Sequence, residues 1–253
     1  MKTRQKIEPS PFNYKLVLSY DGTDFCGWQR QPDERTVQGV LEEALFKLTR
    51  KKITVDGAGR TDAGVHAWGQ VANFKAHLSL KERDLFRALN ALLPDDIRIL
   101  ILRRVESEFH ARKMAKSKIY QYRIHNARSI SPFLQRYVLY WPWPLNLKLM
   151  KQAARFFVRE ADFGAFSSNR LLHPVRKVIR SGVRKKGNEI IYTIEANGFM
   201  RYMVRTIVGT LLEIGRGRIQ PEEIEKIFKN KMRTLASPTA PAKGLALIKV
   251  KYY

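Results

Sequence analysis

At 253 residues the chain can form one large or two modest domains, and no run approaches the roughly 18 apolar residues that a membrane span requires. Forty-seven Lys and Arg against 23 Asp and Glu give a net charge of +24, a self-repulsion that points to polyanions, and nucleic acid first among them, as regular partners. The one cysteine, Cys26, excludes an internal disulfide and a Cys-based zinc site, the five histidines lack metal-ligand spacing, and the basic N-terminus lacks the apolar core of an export signal, so a reducing cytoplasm is expected.

Residues 1–12, with Pro9 and Pro11, predict a basic N-terminal arm. Tyr14, Leu16, Leu18 and Tyr20 then alternate at period two, which predicts a strand from Asn13 that stops at Asp21-Gly22. The loop from Thr23 to Arg35 holds Phe25, Trp28, Gln29, Arg30 and Gln31, a mixture suited to base stacking and backbone contacts; a packed tryptophan is the other reading of Trp28. Val37, Val40, Leu41, Ala44, Leu45 and Leu48 follow helical spacing behind Thr36 as N-cap, predicting a helix over 37–50. Short strands are expected at 53–56 and 68–74, on either side of a glycine-rich loop. Ser79 and Glu82 have capping-box spacing ahead of a helix that buries Leu85, Leu89, Leu92 and Leu93, and Ile97 to Val105 predicts a strand.

This order, strand-helix-strand-strand-helix-strand, is that of the split βαβ, ferredoxin-like unit. It repeats with one added helix: strands at 118–124, 175–179, 190–196 and 245–252, a helix at 146–158, a strongly apolar helix at 199–214 and another opened by Pro221. The expected fold is therefore α+β, with two ferredoxin-like βαββαβ domains, 13–108 and 109–253, whose antiparallel sheets meet in a basic RNA-binding cleft. No repeat is visible between the halves at the level of residues.

The loop itself carries the chemistry. Gly57, Gly59 and Gly64 bracket Arg60-Thr61-Asp62, so the backbone can approach a ligand closely while an Arg and an Asp face it; Asp and Thr in a Gly-rich turn are also ordinary turn residues. Arg201 and Arg205, four apart on the apolar 199–214 segment, need either a carboxylate, for which Asp62 is the candidate, or access to solvent or phosphate. Tyr120 and Tyr122 share a strand face beside Lys116 and Lys118. Arg112-Lys113-Lys116-Lys118 and the run from Arg176 to Lys186 suit tracking of a nucleic-acid backbone, although charge runs often form only a solvated face.

Tyr20-Asp-Gly-Thr-Asp-Phe-Cys-Gly-Trp-Gln-Arg-Gln31, Gly59-Arg-Thr-Asp-Ala-Gly-Val-His-Ala67, Phe109-His-Ala-Arg112, Tyr120-Gln-Tyr122, Asp162-Phe-Gly-Ala-Phe166, Met203-Val-Arg205 and Pro238-Thr-Ala-Pro-Ala242 together resemble the TruA-type tRNA pseudouridine synthases, in order and over nearly the whole chain. The resemblance implies a cofactor-free isomerisation of uridine to pseudouridine in the tRNA anticodon stem-loop by a homodimer. It implies Asp62 as the catalytic aspartate, Arg60 as the residue that helps displace the target base, Tyr120 as the active-site tyrosine and Arg205 as the partner of Asp62, holding its pKa low. Trp28, Gln29 and Arg112 fall in matching blocks and are expected to contact substrate. Ala161 and Tyr202 depart from the pattern, each standing where a histidine is usual. Two other classes fit the charge: a non-catalytic RNA-binding module, which leaves Arg60-Thr61-Asp62 without a purpose, and a nuclease, which needs clustered carboxylates for metal ions.

Overall fold

The alternation at the start of the chain produces β1 (Phe12–Tyr20), with Tyr14, Leu16, Leu18 and Tyr20 all buried. The computed structural model describes residues 11–168 and 173–253, so residues 1–10 of the expected arm lie outside the described residues, while Phe12 already belongs to β1. After β1 come α1 (Val37–Thr49), β2 (Asp56–Gly57), β3 (His66–Ala76), α2 (Glu82–Leu92) and β4 (Ile97–Val105). The second half contributes β5 (Ser117–His125), β6 (Leu139–Tyr140), α3 (Leu147–Arg155), β7 (Glu160–Asp162), β8 (Val175–Lys186), β9 (Glu189–Ala196), α4 (Met203–Gly215), α5 (Glu223–Asn230) and β10 (Leu245–Lys251).

Local chemistry explains where elements start. Thr36 caps α1 as expected, its side chain accepting from Gly39 N at 3.2 Å. The capping box at Ser79 does not form: α2 begins after Lys81, and Glu82 Oε1 accepts from Arg104 N at 3.0 Å, tying the helix start to β4. α4 begins at Met203 rather than Phe199 because Tyr202 has a φ of 62°, outside the helical region. The strand expected at 53–56 shortens to β2, and β6 and β7 are too short to announce themselves by alternation.

The strands form a mixed but mostly antiparallel sheet of ten, in the order β4-β1-β3-β10-β5-β9-β8-β7, with β2 on β3 and β6 on β5. The halves were expected to carry antiparallel sheets that meet in a cleft, and a single sheet runs through both. The reason lies in β3. One edge of it is filled by β1, but β2 covers only Ala72 and Asn73 on the other, leaving His66 and Ala67 to pair in parallel with Ala246 and Leu247 of β10. Open backbone groups in a buried strand must find partners, and the last strand of the chain supplies them.

Gly69 makes this junction possible, since a Cβ there would stand 2.5 Å from Ile248 O. In the second half, α4 is buried almost all round, with Met203, Ile207, Val208, Leu211 and Ile214 fully enclosed. The Asp162-Phe-Gly-Ala-Phe166 block is core: Phe163 and Phe166 pack with Phe157 and Phe228 at ring-centroid distances of 5.1 to 6.1 Å. No described helix is long and apolar enough to cross a membrane.

Candidate active site

The Gly-rich loop between β2 and β3 rests on the earlier loop from Asp21 to Gln31, which acts as its back wall. Trp28 N donates to Thr61 O at 3.1 Å and Gly64 N to Phe25 O at 3.2 Å. Gly27 is required at this contact, having a φ of +89° and a position where a Cβ would lie 2.6 Å from Thr61 O. Below the loop, Tyr20 OH and Thr61 Oγ1 share a buried hydrogen bond of 2.8 Å, while Gln70 Nε2 donates to Gly59 O at 2.8 Å. Residues on both sides of Arg60 are thereby fixed by groups from the core, which leaves the Arg60 and Asp62 side chains to the cavity in front.

That cavity, about 1520 Å³, is lined by both halves of the chain. Seven of its lining residues are Arg or Lys (60, 112, 113, 118, 176, 201, 205) and three are Asp or Glu (34, 56, 62). Asp62 meets Arg205 of α4 there, Arg205 Nη1 donating to Asp62 Oδ2 at 3.3 Å. Arg205 is aimed by two further contacts: its Nε donates to Ala240 O at 2.8 Å, and its guanidinium lies 4.8 Å from the centre of the Tyr202 ring. Arg201 precedes α4 instead of sharing a helical face with Arg205, yet its guanidinium also reaches the Tyr202 ring, at 4.9 Å. The Tyr202 conformation that delays the helix thus gathers two cations around one ring.

The carboxyl of Asp62 behaves contrary to the sequence expectation. Burial raises it above the usual carboxylate range, and the opposing pull of Arg205 and, more weakly, Arg201 does not overcome that. Tyr120 of β5 is 6% exposed and packs edge-on against Phe199 at 5.0 Å. Burial, with Tyr20 and Asp62 nearby, pushes its phenol far above the ordinary range, so it is a neutral hydroxyl at any working pH.

The expected substrate contacts divide. Arg60 and Arg112 are exposed, line the cavity and make no ion pair among the described residues. Gln29 also lines it, but its Nε2 donates to Gln38 Oε1 at 2.9 Å. Trp28 lines the cavity too, but is 2% exposed and lies against Gly57, where a Cβ would be 2.4 Å from the indole, so that most of its ring is packed beneath the loop. A buried polar knot was not anticipated: Gln38 Nε2 donates to Glu42 Oε1 at 2.9 Å, which also accepts from Val55 N at 3.1 Å, tying α1 to the strand entering the loop. The available signal was two polar residues, Gln38 and Glu42, four apart on the apolar side of a helix. Among the described residues no group of three or more His, Cys, Asp or Glu is arranged to hold a metal ion.

The glycine-rich loop thus sets a half-buried carboxylate, paired with arginine, inside a cationic cavity. Residues 16–112 and 153–253 match the family described as tRNA pseudouridine synthase. The chain is 44% identical over 252 residues to tRNA pseudouridine synthase A of Thermodesulfovibrio yellowstonii, covering 95% of this chain and 99% of the relative. It is 44% identical over 242 residues to the protein of that name from a Thermoanaerobacter species, covering 95% and 99%, and 42% identical over 241 residues to that of Geobacillus kaustophilus, covering 94% and 93%. The chain belongs to the tRNA pseudouridine synthase family. It is an isomerase of that class.

Proposed function

We propose that the cavity receives a uridine of the tRNA anticodon stem-loop and that Asp62 carries out its isomerisation to pseudouridine. The observation that carries this reading is the Asp62–Arg205 pair at 3.3 Å, at the rim of a glycine-rich loop and inside a cavity lined by seven Arg and Lys. A uridine in a helical stem, at about nucleotides 38 to 40, has to leave the stack first, at a cost of a few kcal/mol, and the exposed Arg60 side chain is suited to filling the vacated space.

The reaction breaks the N1–C1′ bond, turns the uracil, joins C5 to C1′, returns a proton to N1 and releases the one on C5. An ionised Asp62 acts on the nucleotide as nucleophile or base, with Arg205 holding the carboxylate in orientation and favouring its charged form. The neutral Tyr120 supplies a ring against which detached uracil can rest and a hydroxyl able to relay the C5 proton to water, but not a phenolate base. None of these steps requires a cofactor.

Strand order supports a division into units of residues 13–108 and 109–253. Within the first it reads β4-β1-β3-β2 and within the second β10-β5-β9-β8, with the last strand beside the first and the second beside the third in each, as in a ferredoxin-like βαββαβ unit. We infer further that the working form is a homodimer holding one tRNA, as the sequence resemblance implies.

The test is Asp62→Asn, which keeps shape and removes charge. Tritium release from C5-labelled tRNA should disappear while tRNA affinity, by filter binding at fixed salt, stays within about tenfold, or 1.4 kcal/mol. Comparable tritium release by the variant would exclude Asp62 as the catalytic residue. Wild-type protein that released none from any tRNA would leave the binding-module reading in its place.

A further inference from the structure

The cations of the cavity fall into two sets. Arg205 and Arg201 act on Asp62, so their charge is partly answered by a carboxylate. Lys118 has no such answer. It stands two residues before Tyr120 on the same face of β5, and its stem lies across the catalytic loop, so that a Cβ on Gly59 would be 3.1 Å from Lys118 Cε. The charges felt at Lys118 are those of Arg112 and Arg176, both lining the same cavity, and among the described residues none of the three has a carboxylate partner.

Arg176 is also fixed in place. Its Nη1 donates to His173 O at 2.8 Å and to Val175 O at 2.6 Å, and its side chain runs 3.7 Å from where a Gly198 Cβ would be. Backbone carbonyls orient a guanidinium without neutralising it. Three like charges lining one cavity, one partly buried and one tethered, form a donor set suited to an anion.

Resting on the reading above, we propose that Lys118, Arg112 and Arg176 bind a single phosphodiester of the RNA flanking the flipped uridine, fixing the strand beside Gly59. A dianionic or monoanionic oxygen cluster is the ligand class that satisfies all three donors at once, and a phosphodiester is the form in which RNA supplies it. Burial and the two neighbouring guanidinia hold the Lys118 ammonium below its usual range, a cost that a bound phosphate relieves.

The experiment uses an anticodon stem-loop RNA in which each linkage around the target uridine is replaced, one at a time, by an uncharged methylphosphonate. Binding is titrated with wild-type protein, Lys118→Met, which keeps the stem over Gly59, and Lys118→Arg. At one linkage the replacement should weaken wild-type binding about tenfold and Lys118→Met binding clearly less, Arg112 and Arg176 still meeting the phosphate there, with Lys118→Arg behaving as wild type. The Lys118→Met variant should also show a slope of log affinity against log salt smaller by about 0.7 to 0.9. Equal losses in wild type and Lys118→Met at every linkage would overturn the proposed contact. Pseudouridine in the unmodified RNA is measured in parallel: coupling without product would sink the isomerase reading and keep the phosphate site, and product without coupling would do the reverse.

Discussion

One methyl group should disable the site from one turn further along α4. Gly209 lies on the face of α4 turned toward residues 238–240, and a Cβ placed there would stand 1.9 Å from Pro238 O and 3.1 Å from Pro238 C. An ordinary carbon–oxygen contact is restored only if that segment backs away by roughly 1.5 Å. The same segment aims Arg205: Ala240 O accepts from Arg205 Nε at 2.8 Å, and Ala240 N donates to Arg205 O at 3.1 Å. Gly209→Ala gains about 1 kcal/mol in helix propensity but sets its Cβ against backbone, where overpacking costs about 1–3 kcal/mol, so a net loss of up to about 2 kcal/mol is expected. Misplacement of a positioning group by about 1 Å can cost on the order of 10²-fold in rate, and the expected loss in turnover is of that size. Urea denaturation and tritium release measured on the same preparation separate the two effects. Leu89→Ala in α2, remote from the cavity and 2% exposed in the parent, serves as control: it should lose about 2–5 kcal/mol of stability and keep its turnover. Gly209→Ala turning over at the wild-type rate would show that the 238–240 segment is not what holds Arg205 in place.

Arg205→Met removes the charge that opposes burial at Asp62, so the acidic limb of the pH–rate profile should move to higher pH, with activity at neutral pH falling and partly returning on the alkaline side; an unmoved limb would mean that another group titrates. Tyr20→Phe strips the Thr61 hydroxyl of its 2.8 Å partner in the core, costing about 1–3 kcal/mol in urea denaturation and lowering kcat more than it raises KM, and a normal kcat would separate the Tyr20–Thr61 bond from the chemistry. Affinity for tRNA should fall by about 10³-fold or more between 50 and 200 mM salt if six or more phosphates are neutralised, whereas salt-insensitive binding measured by filter titration would contradict a cationic cavity as the docking surface.

The parts of this protein that were legible in its sequence are those governed by neighbours in the chain. Alternation located β1 and β5, helical spacing behind Thr36 located α1, and the price of an unpaired buried arginine led from Arg205 to Asp62 across 143 residues. What was hidden depends on partners that no local pattern names. The fusion of two sheets through His66, Ala67, Ala246 and Leu247 involves two residue pairs and no change in composition. Trp28 reads equally well as a stacking platform or as packing, and only the closeness of Gly57 decides for packing. Glu82 has the chemistry of a capping box, but a strand edge at Arg104 offered a competing donor. Tyr202 reads as an ordinary helical residue between two arginines; its left-handed backbone stands just before the start of α4.

The direction of the Asp62 shift was the least accessible property, because it is a balance between a pair visible in sequence and a burial that is not. Arg205 gives its remaining contacts to a carbonyl and a ring, neither of which competes for its charge, and still burial prevails. A carboxyl whose folded value lies above its unfolded value favours the native state most at low pH, where it is protonated in both states, and that contribution is lost as pH rises through the raised value. At neutral pH the charged form of Asp62 is therefore held at a cost to the fold. That is the pattern of a group kept for reactivity: a carboxylate short of solvent is a stronger base and nucleophile than one in water, and the incoming RNA, by excluding more solvent, sharpens the effect. The cations beyond Arg205 then have a second use. On the phosphate site proposed above, they would let a polyanion approach a carboxylate that its negative charge would otherwise drive toward protonation.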